Sequence, residues 1–488
     1  MLEGIFLEKE IKERLSELKE IDKDMYEYIL NEKIEFNKCK VLKRTFEQTV
    51  KRYLARIVWF QKVPLKEYLT KFIEEYQKRV TVTDLINKIN SPSHKKKILY
   101  VTSAPTFNMV RQSIYLRKCG YETILLMERN LSLTSFYEKY FDLVFVFNSI
   151  YTLYYILKEA NPYLVHVQGT TRNANHFGIL AKLLSKCKVI FNFYDIPITT
   201  IAKGEDIVSA GKELVDAGDT GGSAEEVKLD LFSERFACER CDGIIYSYAP
   251  RVEEILKNRY RIRSPMLEFH SYTCDEFMRN NSRKYSDEDG KIHLVYGGHV
   301  SPSNMPKKFR GDTQFHSIIE KLIRQGICFD IYILDARWRK IRREYADYIR
   351  MSENNPLFNF KQGMILENST REFSKYDFGA MIYPFDKEML IKDTEHAQMR
   401  LPDKFFTYME AGLPILISEE SQYGAKLVRE YEMGIVVSQK DLDNLHKIID
   451  RYDREKLKAN VKRAREELSM KRNIGRLVKF YEQVVGNE

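Results

Sequence analysis

What the 488-residue sequence has little of narrows it first. Its seven cysteines are too few and too scattered for the disulfide framework of a small secreted domain. The close pair Cys238 and Cys241, in FACERCDG, has no second CxxC and no HxxxH beside it. A zinc site needs four ligands, so this pair reads as packing at a helix end. No run of eighteen apolar residues occurs, which argues against a transmembrane helix. The opening MLEGIFLEKEIKERL carries charge from Glu3 and Glu8 onward, so no signal-peptide core forms and a soluble, cytoplasmic protein is expected. No Asp-x-Asp motif flanked by apolar strands is evident, and no obligatory metal or cofactor is expected. Charge of one sign is scarce too: 79 Lys and Arg against 70 Asp and Glu leave a net +9. That excess permits an anionic ligand or a membrane surface. It does not make a dedicated nucleic-acid binder, because basic residues meet aromatics only around 51–60.

What is present is enough apolar residue, 44%, to fill two or three sizeable cores. From Glu8 to Lys88 there is no glycine and only Pro64. Leu15, Leu18, Ile21, Met25 and Tyr28 recur at helical spacing, as do Phe46, Val50, Leu54, Ile57 and Val58. Residues 1–94 therefore read as an α-helical appendage that packs or oligomerises. Lys51, Arg52 and Arg56 beside Trp59 and Phe60 offer a second reading, docking on a membrane surface or a protein partner, which would place the protein at the inner face of a membrane.

Beyond SPSHKKK the pattern changes to α/β. Short apolar runs (98–103, 123–127, 141–147, 163–169 and 188–195) alternate with amphipathic helices, and GIIYS and MLEF continue the series. Strands without a polar face indicate a parallel sheet covered on both sides. This is a first Rossmann-like domain, 95–285, with a Gly-, Ala- and acid-rich insertion at 201–230 expected to be a mobile loop. KIHLVYGGHV opens a second alternating block, 286–440, and a charged helical tail, 441–488, follows. Two Rossmann-like domains in tandem leave a cleft between the carboxyl ends of two sheets, the usual ligand site of open α/β folds.

At this point a family resemblance becomes specific. LPDKFFTYMEAGLPILIS (401–418) resembles the Pro-Lys, helix, Ala-Gly-x-Pro segment of GT-B glycosyltransferases of the family 4 type. KYDFGAMIYP, CDGIIYSYAPRVEEIL and YEMGIVV fall in the family's order around it. The resemblance implies transfer of a sugar from a nucleotide-diphosphate sugar bound to the second domain onto a hydroxyl acceptor bound to the first. By analogy, the acceptor is a glycan or a lipid-linked sugar of surface polysaccharide or glycoconjugate synthesis. It also implies a donor diphosphate near Gly297 and Gly298, near a basic side chain among Lys307, Lys308 and Arg310, and at Lys404. Bare amides and fixed positive charge at a strand–helix turn suit that anion. Two positions depart from the family: Thr407 stands where a ribose-binding glutamate is usual, and Met399 where many retaining members carry another. Thr407 still offers a hydroxyl to a ribose or phosphate oxygen, and Glu410, one turn on, is a substitute carboxylate pointing elsewhere. In the first domain, His166 and Gln168 end one strand and Asp195 another. His166 is a candidate ligand of sugar or acceptor, and Asp195 a candidate general base on the acceptor hydroxyl. For each, the competing role is a strand-end polar group satisfying loop amides. Two other function classes stay open: a GT-B-fold nucleotide-sugar epimerase, and a catalytically degenerate scaffold or binding protein.

Overall fold

Why the chain forms two sheets is visible in the burial of its strands. β1 (Lys97–Thr102), β4 (Leu164–Gly169) and β5 (Val189–Phe193) are buried at every residue, as strands covered on both faces must be. In this computed structural model residues 82–486 are described, apart from 129–133, 148–149, 170–175, 195, 197–232, 281–282, 305–312, 334–344 and 386–397. All of them fall within one compact unit, Arg79–Glu488. The expected insertion at 201–230 and the appendage up to residue 81 lie outside the described residues.

The first sheet adds β2 (Glu122–Met127), β3 (Leu143–Val146), β6 (Gly243–Tyr246) and β7 (Met266–Glu268) in the order β3-β2-β1-β4-β5-β6-β7, all parallel. Its helices are α1 (Val82–Asn90), α2 (Phe107–Lys118), α3 (Thr134–Tyr137), α4 (Ile150–Glu159), α5 (His176–Leu184), α6 (233–240) and α7 (Arg251–Arg259). α1 was expected in the appendage, yet Leu85 and Ile89 are buried in the first domain's core, beside Leu157 and Ala160.

α8 (Ser286–Asp289) leads into the second sheet, with strands β8 (His293–Gly297), β9 (Cys328–Ile333), β10 (Phe358–Gln362), β11 (Phe378–Met381), β12 (Ile415–Ser418) and β13 (Gly434–Val437). Their order is β10-β9-β8-β11-β12-β13, again parallel throughout. Its helices are α9 (His316–Arg324), α10 (Ala346–Asn354), α11 (Leu366–Phe373), α12 (Asp403–Glu410) and α13 (Gln422–Glu430). The order reverses between β1 and β4 in one sheet and between β8 and β11 in the other, and ligands of such sheets bind at that reversal.

The tail is three helices, α14 (Leu445–Ile449), α15 (Arg454–Glu467) and α16 (Met470–Gly486). It does not stand apart. α16 returns to the first domain, where Val484 and Phe480 lie against Gly243 of β6, and the Tyr481 hydroxyl meets His166 Nδ1 at 2.7 Å. One apolar cluster runs from Ile98 and Tyr100 of the first sheet to Phe405 of α12 and Ile415 of the second sheet, while the opposite face of each sheet has a core of its own.

Gly379, the glycine of the KYDFGAMIYP motif, is where close packing leaves no room for a side chain. The Tyr408 ring lies so near that an added Cβ would sit 2.3 Å from its Cγ. We expect Gly379→Ala to cost about 1–3 kcal/mol of stability, the usual penalty for overpacking a full core, measurable as a lower urea midpoint with an unchanged m value.

Candidate active site

The site is built from the ends of β8 and β11 and the first turn of α12. β8 ends at Gly297, whose amide donates to the Tyr408 hydroxyl at 3.0 Å. The next residue, Gly298, has φ +155, a region that L side chains rarely enter. A Cβ there would lie 2.5 Å from Lys404 Nζ, so the lysine of α12 covers this glycine. Lys404 also sits with Nζ 3.8 Å from the centroid of Tyr296 and 5.6 Å from that of Tyr383. A cation over aromatic faces is favourable and keeps the charge at one place. The Tyr296 ring is fixed in turn by Phe315 at 4.5 Å and by its hydroxyl bond to His299 O. α12 begins after Pro402 with no side-chain cap, and the amino end of a helix favours an anion. Positive charge, the amino end of a helix and a bare backbone therefore converge on one point at the reversal of the second sheet.

Gly298→Ala should push Lys404 aside and strain the turn. Expected is a loss of nucleotide affinity of roughly tenfold with little change in the melting temperature of the unliganded protein, read by calorimetric titration.

The other residues singled out in the sequence are placed differently. Thr407 and Glu410 are buried, and both face Arg111 of α2 in the first domain. Arg111 Nε and Nη2 grip Glu410 at 2.8 and 2.6 Å, and Nη2 also donates to Thr407 Oγ1 at 3.1 Å. Thr407 Oγ1 donates onward to Asp403 O, and Glu410 Oε1 accepts the Cys274 amide at 2.9 Å. Arg111 and Glu410 are both fully enclosed. Burial works against the Arg111 charge, and Glu410 outweighs it, so the guanidinium stays protonated above its ordinary value. The carboxylate read as a substitute ribose ligand is thus committed to tying the domains together, and the Thr407 hydroxyl is engaged on the same side.

Met399 is an anchor as well. Its side chain is buried in the first domain's core, and its carbonyl accepts the Ala249 amide at 2.8 Å.

His166, expected at the cleft, is fully buried. Its ring packs at a tilt against Tyr100 with centroids 4.7 Å apart. Burial pushes the imidazole down to about 3, so it stays neutral. Gln168 is buried too and donates to Thr106 Oγ1 at 2.8 Å. Between the unfolded value near 6.5 and about 3, the unfolded chain takes up a proton that the folded chain refuses. His166 therefore lowers stability as pH falls below about 6.5 and adds nothing to the pH dependence above it. Urea midpoints at pH 7 and pH 5 should lie closer together for His166→Phe than for the native protein. Asp195, Lys307, Lys308 and Arg310 lie outside the described residues.

Sequence reasoning did not find a second cross-domain cluster. His270 Nδ1 meets Ser247 Oγ at 3.1 Å, and its Nε2 meets Glu268 Oε1 at 2.7 Å and the Tyr423 hydroxyl at 3.0 Å. Tyr423 of α13 also donates to Glu268 at 2.6 Å, and Ser271 bonds to Asp403. Burial raises the Glu268 carboxyl, and its bonds to His270 and Tyr423 outweigh that, leaving it below its ordinary range. The available signal was HSYTCDEF, a polar stretch following the edge strand β7.

Comparison with known proteins agrees with this architecture. Residues 343–479 match the family described as glucosyltransferase 3-like, C-terminal domain, and that stretch contains the 401–418 segment. No curated protein matches the chain in sequence. Among solved structures, Anabaena Alr3699/HepE in complex with UDP and glucose is similar with a TM-score of 0.50 and 12% identity, over 80% of this chain and 98% of that one. The α,α-trehalose 6-phosphate synthase of Burkholderia multivorans is similar with a TM-score of 0.50 and 9% identity, over 80% and 99%. The fold is GT-B, two Rossmann-like domains in tandem.

Proposed function

We propose that this GT-B glycosyltransferase moves a hexose from a UDP-hexose to a hydroxyl of a glycan or lipid-linked acceptor. The observation that carries the proposal is Lys404 held over Gly298 by Tyr296 at the reversal of the second sheet. The choice of donor follows the glucosyltransferase-like C-terminal domain and the HepE structure, solved with UDP and glucose.

As the bond from the sugar to the diphosphate breaks, negative charge grows on the departing oxygen. In this reading Lys404 and the amino end of α12 stabilise that charge, and a fixed donor of this kind needs no rearrangement to act. The acceptor hydroxyl attacks from the first-domain side and gives up its proton to a carboxylate, for which Asp195 remains our candidate. Closure of the domains keeps water from taking the acceptor's place. The reaction so written needs no metal.

Thermal-shift titration with UDP, UDP-glucose and the matching GDP, CDP, ADP and dTDP compounds tests the donor. A ligand at a hundred times its dissociation constant adds about 2.7 kcal/mol. A selective rise with UDP compounds supports the reading, and no rise with any of them at millimolar concentration refutes it. Release of UDP that depends on an added acceptor distinguishes transfer from epimerisation, which needs none.

A further inference from the structure

A group of metal-ligating side chains lies at the opposite end of the second sheet from Lys404. Asp289 ends α8, and Gly290, at φ +72, turns the chain into β8, where His293 is the first residue. Cys328 is the first residue of β9, and it is the register partner of His293 across the parallel pair. The donor atoms of Asp289, His293 and Cys328 all lie within 4.8 Å of one another. Asp289 Oδ1 and His293 Nε2 are already 3.0 Å apart, joined by a hydrogen bond.

The three form a gradient from core to solvent. Cys328 is buried, the His293 side chain is 15% exposed and that of Asp289 is 35% exposed. The softest ligand is therefore at the bottom and the carboxylate at the rim, with solvent beyond it. Two of the three positions are fixed by adjacent strands of a rigid sheet, which holds ligands more closely than loops do. The surroundings also favour a cation. Asp377 lies behind His293 and accepts its amide at 2.7 Å. The competing charge is Lys291, whose half-exposed ammonium is 3.4 Å from Asp289 Oδ2.

We propose that Asp289, His293 and Cys328 form a three-ligand site for a divalent cation of the zinc class, with water as its fourth ligand. A thiolate with an imidazole selects zinc or cobalt over magnesium or calcium, which take oxygen ligands. On binding, the Cys328 thiol releases its proton to solvent, and the imidazole takes the tautomer with its proton on Nδ1, so that Nε2 and the Asp289 carboxylate both face the ion. The ion joins the end of α8 to the starts of β8 and β9, pinning the entrance to the second domain. It takes no part in sugar transfer, because the site is at the amino end of β8 and Gly297 is at the carboxyl end.

Titration of the reduced full chain with cobalt, followed by displacement with zinc, tests the site. One equivalent is expected, with a thiolate-to-cobalt charge-transfer band in the near ultraviolet. Cys328→Ser removes that band. His293→Gln and Asp289→Asn each weaken binding by at least about tenfold, the loss seen even for an outer-shell partner. Cys119→Ser, at an exposed thiol, changes nothing. Because Cys328 is buried, Asp289→Asn at the surface keeps the test open should the serine variant not fold. Absence of a thiolate band, persistence of the band in Cys328→Ser, or binding indifferent to both His293→Gln and Asp289→Asn would overturn the proposal.

Discussion

Replacing Lys404 with alanine lowers the rate of sugar transfer by roughly a hundredfold or more, the usual loss when one preorganised donor to a developing charge is removed. The effect falls mainly on kcat, because charge on the departing diphosphate is greatest in the transition state. On the proposed reading, binding of UDP weakens as well, since its phosphates already carry charge. The half-buried Lys404 is held by Tyr296 and Tyr383, so its removal leaves the core intact and the melting temperature of the unliganded protein nearly unchanged. Lys404→Arg restores only part of the rate: the charge returns, but a planar guanidinium does not reproduce an ammonium seated over Gly298. Initial rates of acceptor-dependent UDP release, with donor varied, measure all of this. A Lys404→Ala enzyme within threefold of the native rate would remove the lysine from the mechanism.

Breaking the Arg111–Glu410 pair has the largest effect on stability. Arg111→Met leaves the Glu410 carboxylate buried without its cation, at a cost of about 3–5 kcal/mol. Glu410→Leu strands the guanidinium at a similar cost and deprives the Cys274 amide of its acceptor. The double variant Arg111→Met/Glu410→Leu regains the greater part of the loss, because apolar groups of like volume replace a buried ion pair at little net cost. Urea midpoints of the four proteins form a double-mutant cycle, and additive losses would show that the pair is not coupled. The same variants should slow transfer out of proportion to donor binding. The pair fixes α2 of the first domain against α12 of the second, and on the proposed reading a small misplacement between reactants is costly.

Much of the fold was legible because parallel strands announce themselves. ILYVT, LVHVQG and VIFNF are continuous apolar runs separated by helical spacing, and the first sheet follows from them, as the second follows from runs such as HLVYG, FDIYI and ILIS. The turn residues of the second domain were legible for a different reason, since Gly298 belongs to one local strand–turn motif and Lys404 and Gly412 to another. The cross-domain contacts were not. Arg111 and Glu410 lie far apart in sequence, and nothing near either one says that its partner will be a charge and not water. The same is true of Tyr423 with His270 and Glu268. Thr407 and Met399 stood out as departures, but their surroundings depend on Arg111 and Ala249, which only the folded chain brings near. His166 looked like a strand-end residue at the cleft because its partner, Tyr481, belongs to a helix whose destination the sequence does not state.

That destination has a consequence for how the protein is made. Domains of a growing chain usually fold in the order in which they leave the ribosome. Here the first sheet is synthesised long before α16, yet Gly243, Tyr100 and His166 await Val484, Phe480 and Tyr481. Until those residues emerge, the earlier domain exposes an apolar face of its sheet and an unpartnered imidazole. It is open to chaperones, proteases and neighbouring chains for as long as the donor domain takes to be translated.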